Sequence, residues 1–369
     1  MKTTLLSPAV AIVVLALSSC HGNNQHASLR RQNEAEFIDE QAYIEQLSEK
    51  LQPYDLISKK DNQTTELQLH QFLHLHHMKT GGTSMDGLLR CAMQRMKKTS
   101  DSTISYMNIH ECGLERYRKC VSGEDDKCRQ RLNHSSILSY CAPLMDLETF
   151  GWECLERKDD DAAVVEQQLL PTTTTKTPPP HAVTVLRHPV ARVWSMFRFQ
   201  TKRCYDCRNL TDIYDQIDRN ESLSGEVCQM QLLNHQTRNL VSFWDPSQPD
   251  VMIEDAIHNM KTFFTLVGLT ENMKETADMV GKVFPFMNET IAGSNETCAM
   301  PHKNSSPQNN GCAADGGHWE LPDHPDDATT QAIIDHNPLD VMLYEQAVQQ
   351  FQYQKMALGL IDAGEGSDE

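Results

Sequence analysis

Phe72-Leu73-His74-Leu75-His76-His77-Met78-Lys79-Thr80-Gly81-Gly82-Thr83-Ser84 changes its rhythm halfway along. Phe72 to His76 is a short strand-like run. After the two glycines, Met85, Leu88, Leu89, Ala92 and Met96 fall at i, i+3, i+4, i+7 and i+11, which is one helical face. Thr83 or Ser84 can cap that helix, and Lys97 and Lys98 stand at its end, where cations suit the helix dipole. Strand, tight glycine turn and helix open an α/β unit. The turn is suited to an anion: two glycines let the backbone bend closely round it, and the turn N–H groups, the helix N-terminus and the hydroxyls all favour phosphate. Lys79 adds a mobile positive charge. A Walker A loop is excluded, because the lysine precedes the glycines and no acidic partner for magnesium is evident.

A second unit follows a proline- and threonine-rich stretch at 171–180, which reads as an exposed loop. Ala182 to Leu186 is apolar, β-branched and uncharged, as a buried strand should be. Arg187-His188-Pro189 follows it, with Pro189 suited to the first turn of a helix continued by Val193, Met196, Phe197 and Gln200. An arginine at the carboxyl end of a buried strand faces the ligand edge of an open α/β sheet, and its fork can grip phosphate through two bonds. Farther on, Met252, Ile253, Ala256, Ile257 and Met260 mark a helix, Phe264 to Val267 a strand closed by Gly268, and Met273 to Phe284 a helix. Leu339, Met342, Leu343, Ala347 and Phe351 mark a closing helix. Residues 100–170 read as irregular and 288–325 as a long polar loop. The expected fold class is α/β, a mostly parallel sheet flanked by helices, in one domain over 66–361. Residues 21–65 read as a polar stem or linker and 362–369 as an acidic tail.

The chain has 369 residues and a formal net charge of -18, which argues against nucleic acid as a partner. Lys2 and the apolar run Leu5 to Leu17 read as a targeting segment over 1–20. Thirteen residues fall short of the ~20 of a membrane-spanning helix, so a signal peptide is favoured over a short anchor. Membrane association through this segment stays open. Glycosylation signals at Asn62, Asn133, Asn209, Asn220, Asn288, Asn295 and Asn304 exceed what chance supplies and point to a luminal glycoprotein. In that compartment most of the twelve cysteines would pair, and Cys204-x-x-Cys207 reads as part of a disulfide-tied loop rather than a redox or zinc motif. His74 and His76 share a strand face and could converge on a metal, but strand packing is the plainer account and no metal is expected.

The lysine–glycine turn and Arg187-x-Pro189-x-x-Arg192-x-x-Ser195 together resemble the donor-binding motifs of sulfotransferases that use 3′-phosphoadenosine 5′-phosphosulfate (PAPS). Asn234-x-Gln236-x-x-x-Leu240, Gly268-Leu269-Thr270-Glu271 and Asn337-x-x-Asp340-x-x-Leu343-Tyr344 resemble segments of the Golgi carbohydrate sulfotransferases, nearest the heparan sulfate 2-O and 6-O types. The likeness covers 72–90, 182–200 and 228–355 and is poor over 100–170. It implies a P-loop-like sulfotransferase fold, PAPS as donor, a carbohydrate hydroxyl as acceptor, and residence in the Golgi lumen or membrane. By the same likeness Lys79, Thr80, Gly81, Gly82, Thr83 and Ser84 hold the 5′-phosphosulfate, and Arg187 and Ser195 hold the 3′-phosphate. The family usually has Asp where this chain has His188. Lys79 is also implied in catalysis, stabilising the leaving oxygen. The base is open: His110 in Asn108-Ile109-His110-Glu111-Cys112-Gly113-Leu114-Glu115 is the first candidate, His134 the second and Glu115 the third. The altered base region leaves one alternative, a luminal binding or scaffold protein that keeps the fold without catalysis.

Overall fold

The computed structural model describes residues 40–53, 72–75, 77, 80, 85, 87–92, 94, 106–109, 137–140, 181–221, 226–242, 244–285, 287 and 321–361. Ser48–Glu369 belongs to one compact unit and Met1–Leu47 to another. Five strands, β1 (Phe72–Leu75), β2 (Tyr106–Ile109), β3 (Ile137–Tyr140), β4 (His181–Leu186) and β5 (Leu266–Leu269), form one sheet in the order β2-β3-β1-β4-β5. Every pairing is parallel, with Leu75 opposite Tyr140 on one side and Thr184 on the other, and Val183 opposite Leu266. β2 and β3 lie within the stretch read from sequence as irregular. Each is only four residues long, too short for a period of two to stand out against charged flanks.

The connection leaving β1 runs to the β2 edge of the sheet, and the one leaving β4 runs to the β5 edge. The order therefore reverses between β1 and β4, and the carboxyl ends of these two strands open on the crevice where open α/β sheets take ligands. The Thr184 hydroxyl donates to the Leu75 carbonyl at 3.2 Å and links the two strands near those ends. β4 is an interior strand between β1 and β5, and Ala182 to Leu186 are all buried, as an uncharged, mostly β-branched strand covered on both faces must be.

After β4 come α2 (Pro189–Cys204), α3 (Leu210–Asp218), α4 (Glu226–Met230), α5 (His235–Leu240) and α6 (Pro249–Thr262). β5 is followed by α7 (Met273–Val283), α8 (Asp327–His336) and α9 (Pro338–Ala357). The helix after β1 is present at residues 87–92, with Leu88, Leu89 and Ala92 buried. Within the stretch read as a stem, Glu40–Lys50 forms α1. Lys50 Nζ donates to the carbonyl of Lys261 at 2.9 Å, in the last turn of α6, and to that of Phe264 at 2.7 Å, just beyond it. Val193 and Phe197 of α2 pack with Tyr205, Leu210, Ile213, Tyr214, Leu232 and Ile333 in one apolar cluster. Leu210, Ile213 and Tyr214 follow helical spacing, so α3 carried a readable signal. The cysteine tie runs from Cys204 to Cys228, Cα atoms 5.5 Å apart, and Cys207 is disulfide-bonded as well. It staples the end of α2 to α4.

α9 buries Leu339, Leu343, Ala347 and Phe351, spaced by four. Met342, which also marked this helix in the sequence, borders that stripe and is 38% exposed. Gln354 Oε1 accepts from Val267 N at 3.2 Å, so α9 satisfies one backbone donor of β5, the last strand of the described sheet. Gly268 lies against α7: a Cβ there would stand 2.2 Å from Thr276 Cγ2. Thr276 cannot swing aside, because its hydroxyl accepts from Leu269 N at 3.0 Å and donates to Leu269 O at 3.1 Å. Gly268→Ala should therefore destabilise the protein by about 1–3 kcal/mol through overpacking, read as a lower midpoint in urea unfolding with an unchanged slope.

Candidate functional site

Arg187 is the first residue beyond β4, half-buried, and its peptide is held from both sides. Gln236 of α5 accepts from Arg187 N at 2.8 Å and donates to Arg187 O at 2.9 Å. On the preceding residue, Leu186 O accepts from Thr270 N at 2.8 Å and from the Thr270 hydroxyl at 3.1 Å. On the following residue, His188 N donates to Glu271 Oε1 at 3.1 Å. Tyr344 donates to the other oxygen of Glu271 at 3.0 Å, and its ring meets the His188 ring edge-on, centroids 5.3 Å apart. The three C-terminal motifs thus converge on the backbone of residues 186–188.

They are also bound to each other. Asn337 Oδ1 accepts from Asn234 N at 2.7 Å, and Asn234 Oδ1 accepts from Leu339 N at 3.0 Å and Asp340 N at 3.2 Å. Each asparagine satisfies backbone donors of the other's segment, and Asn234 adopts the left-handed conformation, φ 43°, which asparagine tolerates better than most residues. Asp340 completes the exchange. Its carboxylate accepts from Gln236 N at 3.2 Å and from Thr237 N and Oγ1 at 2.8 and 2.9 Å, capping the N-terminus of α5 from a distant helix.

The same carboxylate lies 3.8 Å from Arg192 Nε, and both side chains are 0% exposed. At that separation the contact is an ion pair rather than a hydrogen bond. Arg192 Nη1 donates to Gln231 O at 3.0 Å. Burial draws the Arg192 guanidinium below its ordinary value, and Asp340 opposes the shift. Arg192, the second arginine of its motif, is therefore a buried packing cation. Burial also draws Arg187 downward, Glu271 and Tyr344 raise it, and Arg192 lowers it. The guanidinium stays charged in either case.

At the other strand exit His77 is 0% exposed and Thr80 1%. The Thr80 hydroxyl donates to the His77 carbonyl at 3.0 Å, so its proton is engaged in fixing the turn. Asn239 Nδ2 lies 3.2 Å from His77 Nδ1 and 3.3 Å from His235 Nε2. One amide NH₂ thus lies between the two rings. Arg238, next along α5, stacks on Trp244 with 4.2 Å from its central carbon to the ring centroid.

Of the residues expected to contact the donor, the structure brings Thr80 and Arg187 to adjacent strand exits. Ser195 lies two turns into α2, half-buried. Lys79, Gly81, Gly82, Thr83, Ser84, His110, Glu115 and His134 lie outside the described residues, as does His76. His74 is buried in β1, and among the described residues no group of three or more His, Cys, Asp or Glu could hold a metal. No described helix is long and apolar enough to cross a membrane. Asn209 and Asn220, two of the glycosylation signals, are exposed, and the others lie outside the described residues. Sequence reasoning passed over Gln236, Asn239, Asp340 and Arg192 as actors, because each works on a partner 49 to 162 positions away or inside the core. Neither a protein-family model nor any curated protein matches the chain.

Two outcomes follow. Asp340→Ala leaves Arg192 buried without its counter-charge and uncaps α5, so it should cost about 3–5 kcal/mol in equilibrium unfolding. The second concerns acid. Burial holds the His235 imidazole well below its ordinary value, and the charges of Arg192, His77 and Arg238 push the same way. Its folded pKa is depressed, so the unfolded chain binds the proton first as pH falls. The neutral ring contributes fully above pH 6.5, and that contribution is lost as pH falls below it, by about 1.4 kcal/mol per unit until the folded pKa is reached. Denaturant unfolding from pH 7.5 to 5 should show this slope, and His235→Gln should flatten it.

Proposed function

We propose that the chain is a PAPS-dependent sulfotransferase, P-loop-like in its donor site, that transfers a sulfuryl group to a hydroxyl of a carbohydrate in the secretory pathway, in the Golgi lumen or at its membrane. One observation carries the reading. The two segments with anion-binding composition leave adjacent parallel strands at the point where the strand order reverses, and Arg187 stands there with its backbone held at N, at O and on both neighbours. A nucleotide phosphorylated at both ends of its ribose needs two anion sites a few ångströms apart. Adjacent strand exits supply that spacing. The chain's charge of -18 is no obstacle, because the arginine and backbone N–H groups act locally.

The chemistry in this reading is an in-line displacement. The acceptor oxygen forms a bond to sulfur, the bond from sulfur to the bridging oxygen of the phosphosulfate breaks, and the acceptor's proton passes to a base. Arg187 and Ser195 hold the 3′-phosphate. The Lys79–Ser84 turn holds the 5′ end, and Lys79 neutralises the charge that grows on the departing oxygen. His110, His134 or Glu115 takes the proton. The reaction needs no metal.

Adenosine 3′,5′-bisphosphate should bind the full-length protein, and Arg187→Ala should weaken it about ten- to a hundredfold, the loss of one charge-assisted phosphate contact. Labelled sulfate should pass from PAPS to a polysaccharide acceptor and should survive a chelator. Unchanged nucleotide affinity in folded Arg187→Ala would overturn the 3′-phosphate assignment. Tight donor binding without transfer to any acceptor would favour the non-catalytic alternative.

A further inference from the structure

α5 is six residues long, yet it touches both strand exits. Gln236 and Asn239 are three apart, so they project from the same face. Gln236 closes two hydrogen bonds on the Arg187 peptide beyond β4, and Asn239 reaches the His77 ring beyond β1. The helix between them is pinned at both ends by other elements. Asp340 of α9 caps its N-terminus, and Asn259 of α6 donates to Leu240 O at 2.9 Å at its C-terminus. A helix this short is not stable alone; here its position is dictated by α6 and α9, which pack against each other and against α5, with α9 also against β5.

We propose that α5 is a strap that ties the two strand exits to each other, at Arg187 and at His77, with Gln236 and Asn239 as positioning residues for opposite ends of one doubly anionic ligand. The inference rests on the donor reading above and assigns its selectivity for a nucleotide phosphorylated at both the 3′ and 5′ positions. The primary amide of Gln236 matches the N–H and C=O of Arg187 donor to acceptor, so it fixes the direction in which Arg187 leaves β4. Asn239 acts on His77, two residues before Lys79, and so fixes the start of the 5′ turn. Neither residue needs to touch the ligand. Without the strap the two exits would be joined mainly through the sheet, as by the Thr184 hydroxyl on Leu75 O.

The experiment measures binding of adenosine 3′,5′-bisphosphate, adenosine 3′-phosphate and adenosine 5′-phosphate to the full-length wild type, Arg187→Ala, Gln236→Ala and Asn239→Ala by titration calorimetry. Loss of two hydrogen bonds on the Arg187 peptide should weaken both 3′-phosphorylated ligands about tenfold in Gln236→Ala and leave the 5′-phosphate unchanged. Asn239→Ala should show the reverse pattern, weakening both 5′-phosphorylated ligands and sparing the 3′-phosphate. Should either alanine variant fail to fold, Gln236→Met or Asn239→Leu, which keep the volume, replaces it. Equal weakening of all three ligands would mean general loosening and would overturn the strap. Wild-type affinity in both variants, with Arg187→Ala still defective, would overturn the strap while leaving the donor reading intact. A wild type that binds none of the three would overturn both.

Discussion

A single buried carboxylate organises this molecule. Asp340 opens α9, faces Arg192 of α2, and caps α5, so three helices from separate stretches of chain share one anionic centre. A buried ion pair is weak evidence of stability, since desolvating two charges offsets much of their attraction. What the pair does impose is geometry. With Arg192 facing Asp340, and Asp340 bonded to the first turn of α5, the positions of α2, α5 and α9 are tied to one another. The reciprocal bonds of Asn234 and Asn337 repeat the constraint one step away.

From that centre the constraint passes outward to the sheet edge. Asp340 places α5, α5 places Gln236, and Gln236 holds the Arg187 peptide. Glu271 holds the next residue along, with one oxygen on His188 N and the other on the Tyr344 hydroxyl. A carboxylate beside a proposed phosphate site would repel the ligand in water. Here both oxygens are occupied by donors, and the group lies close enough to raise Arg187 against the effect of burial. An acidic chain can in this way keep a local cation, because the arginine acts at short range.

The motifs divide by the work they do. Arg187, Ser195 and the lysine–glycine turn have the composition to meet a ligand. Asn234, Gln236, Gly268, Glu271, Asn337 and Asp340 meet one another or the backbone. Gly268 is glycine because Thr276 fills the space where its side chain would be. Arg192 has the residue type of a phosphate ligand and the environment of a core residue. A motif can thus mix groups that bind with groups that build, and residue type alone does not separate them.

The α/β class was legible in the chain itself. The shift from strand-like to helical spacing across Phe72–Ala92, the uncharged run Ala182–Leu186 and the four-residue repeat of Leu339, Leu343, Ala347 and Phe351 are local patterns, and local patterns survive as sequence. Arg187 at a strand end was legible for the same reason. β2 and β3 were not, because four residues hold too few alternations, and the exposure of Met342 was not, because it borders the buried stripe of Leu339, Leu343, Ala347 and Phe351 and spacing alone does not mark where that stripe ends. The order of the strands, the partner of Cys204, the burial of Arg192 and the reach of α5 to both strand exits depend on residues tens to hundreds of positions apart meeting in space. No periodicity encodes such meetings. Folding decides them, because the only way to bury these polar groups is to pair them with one another.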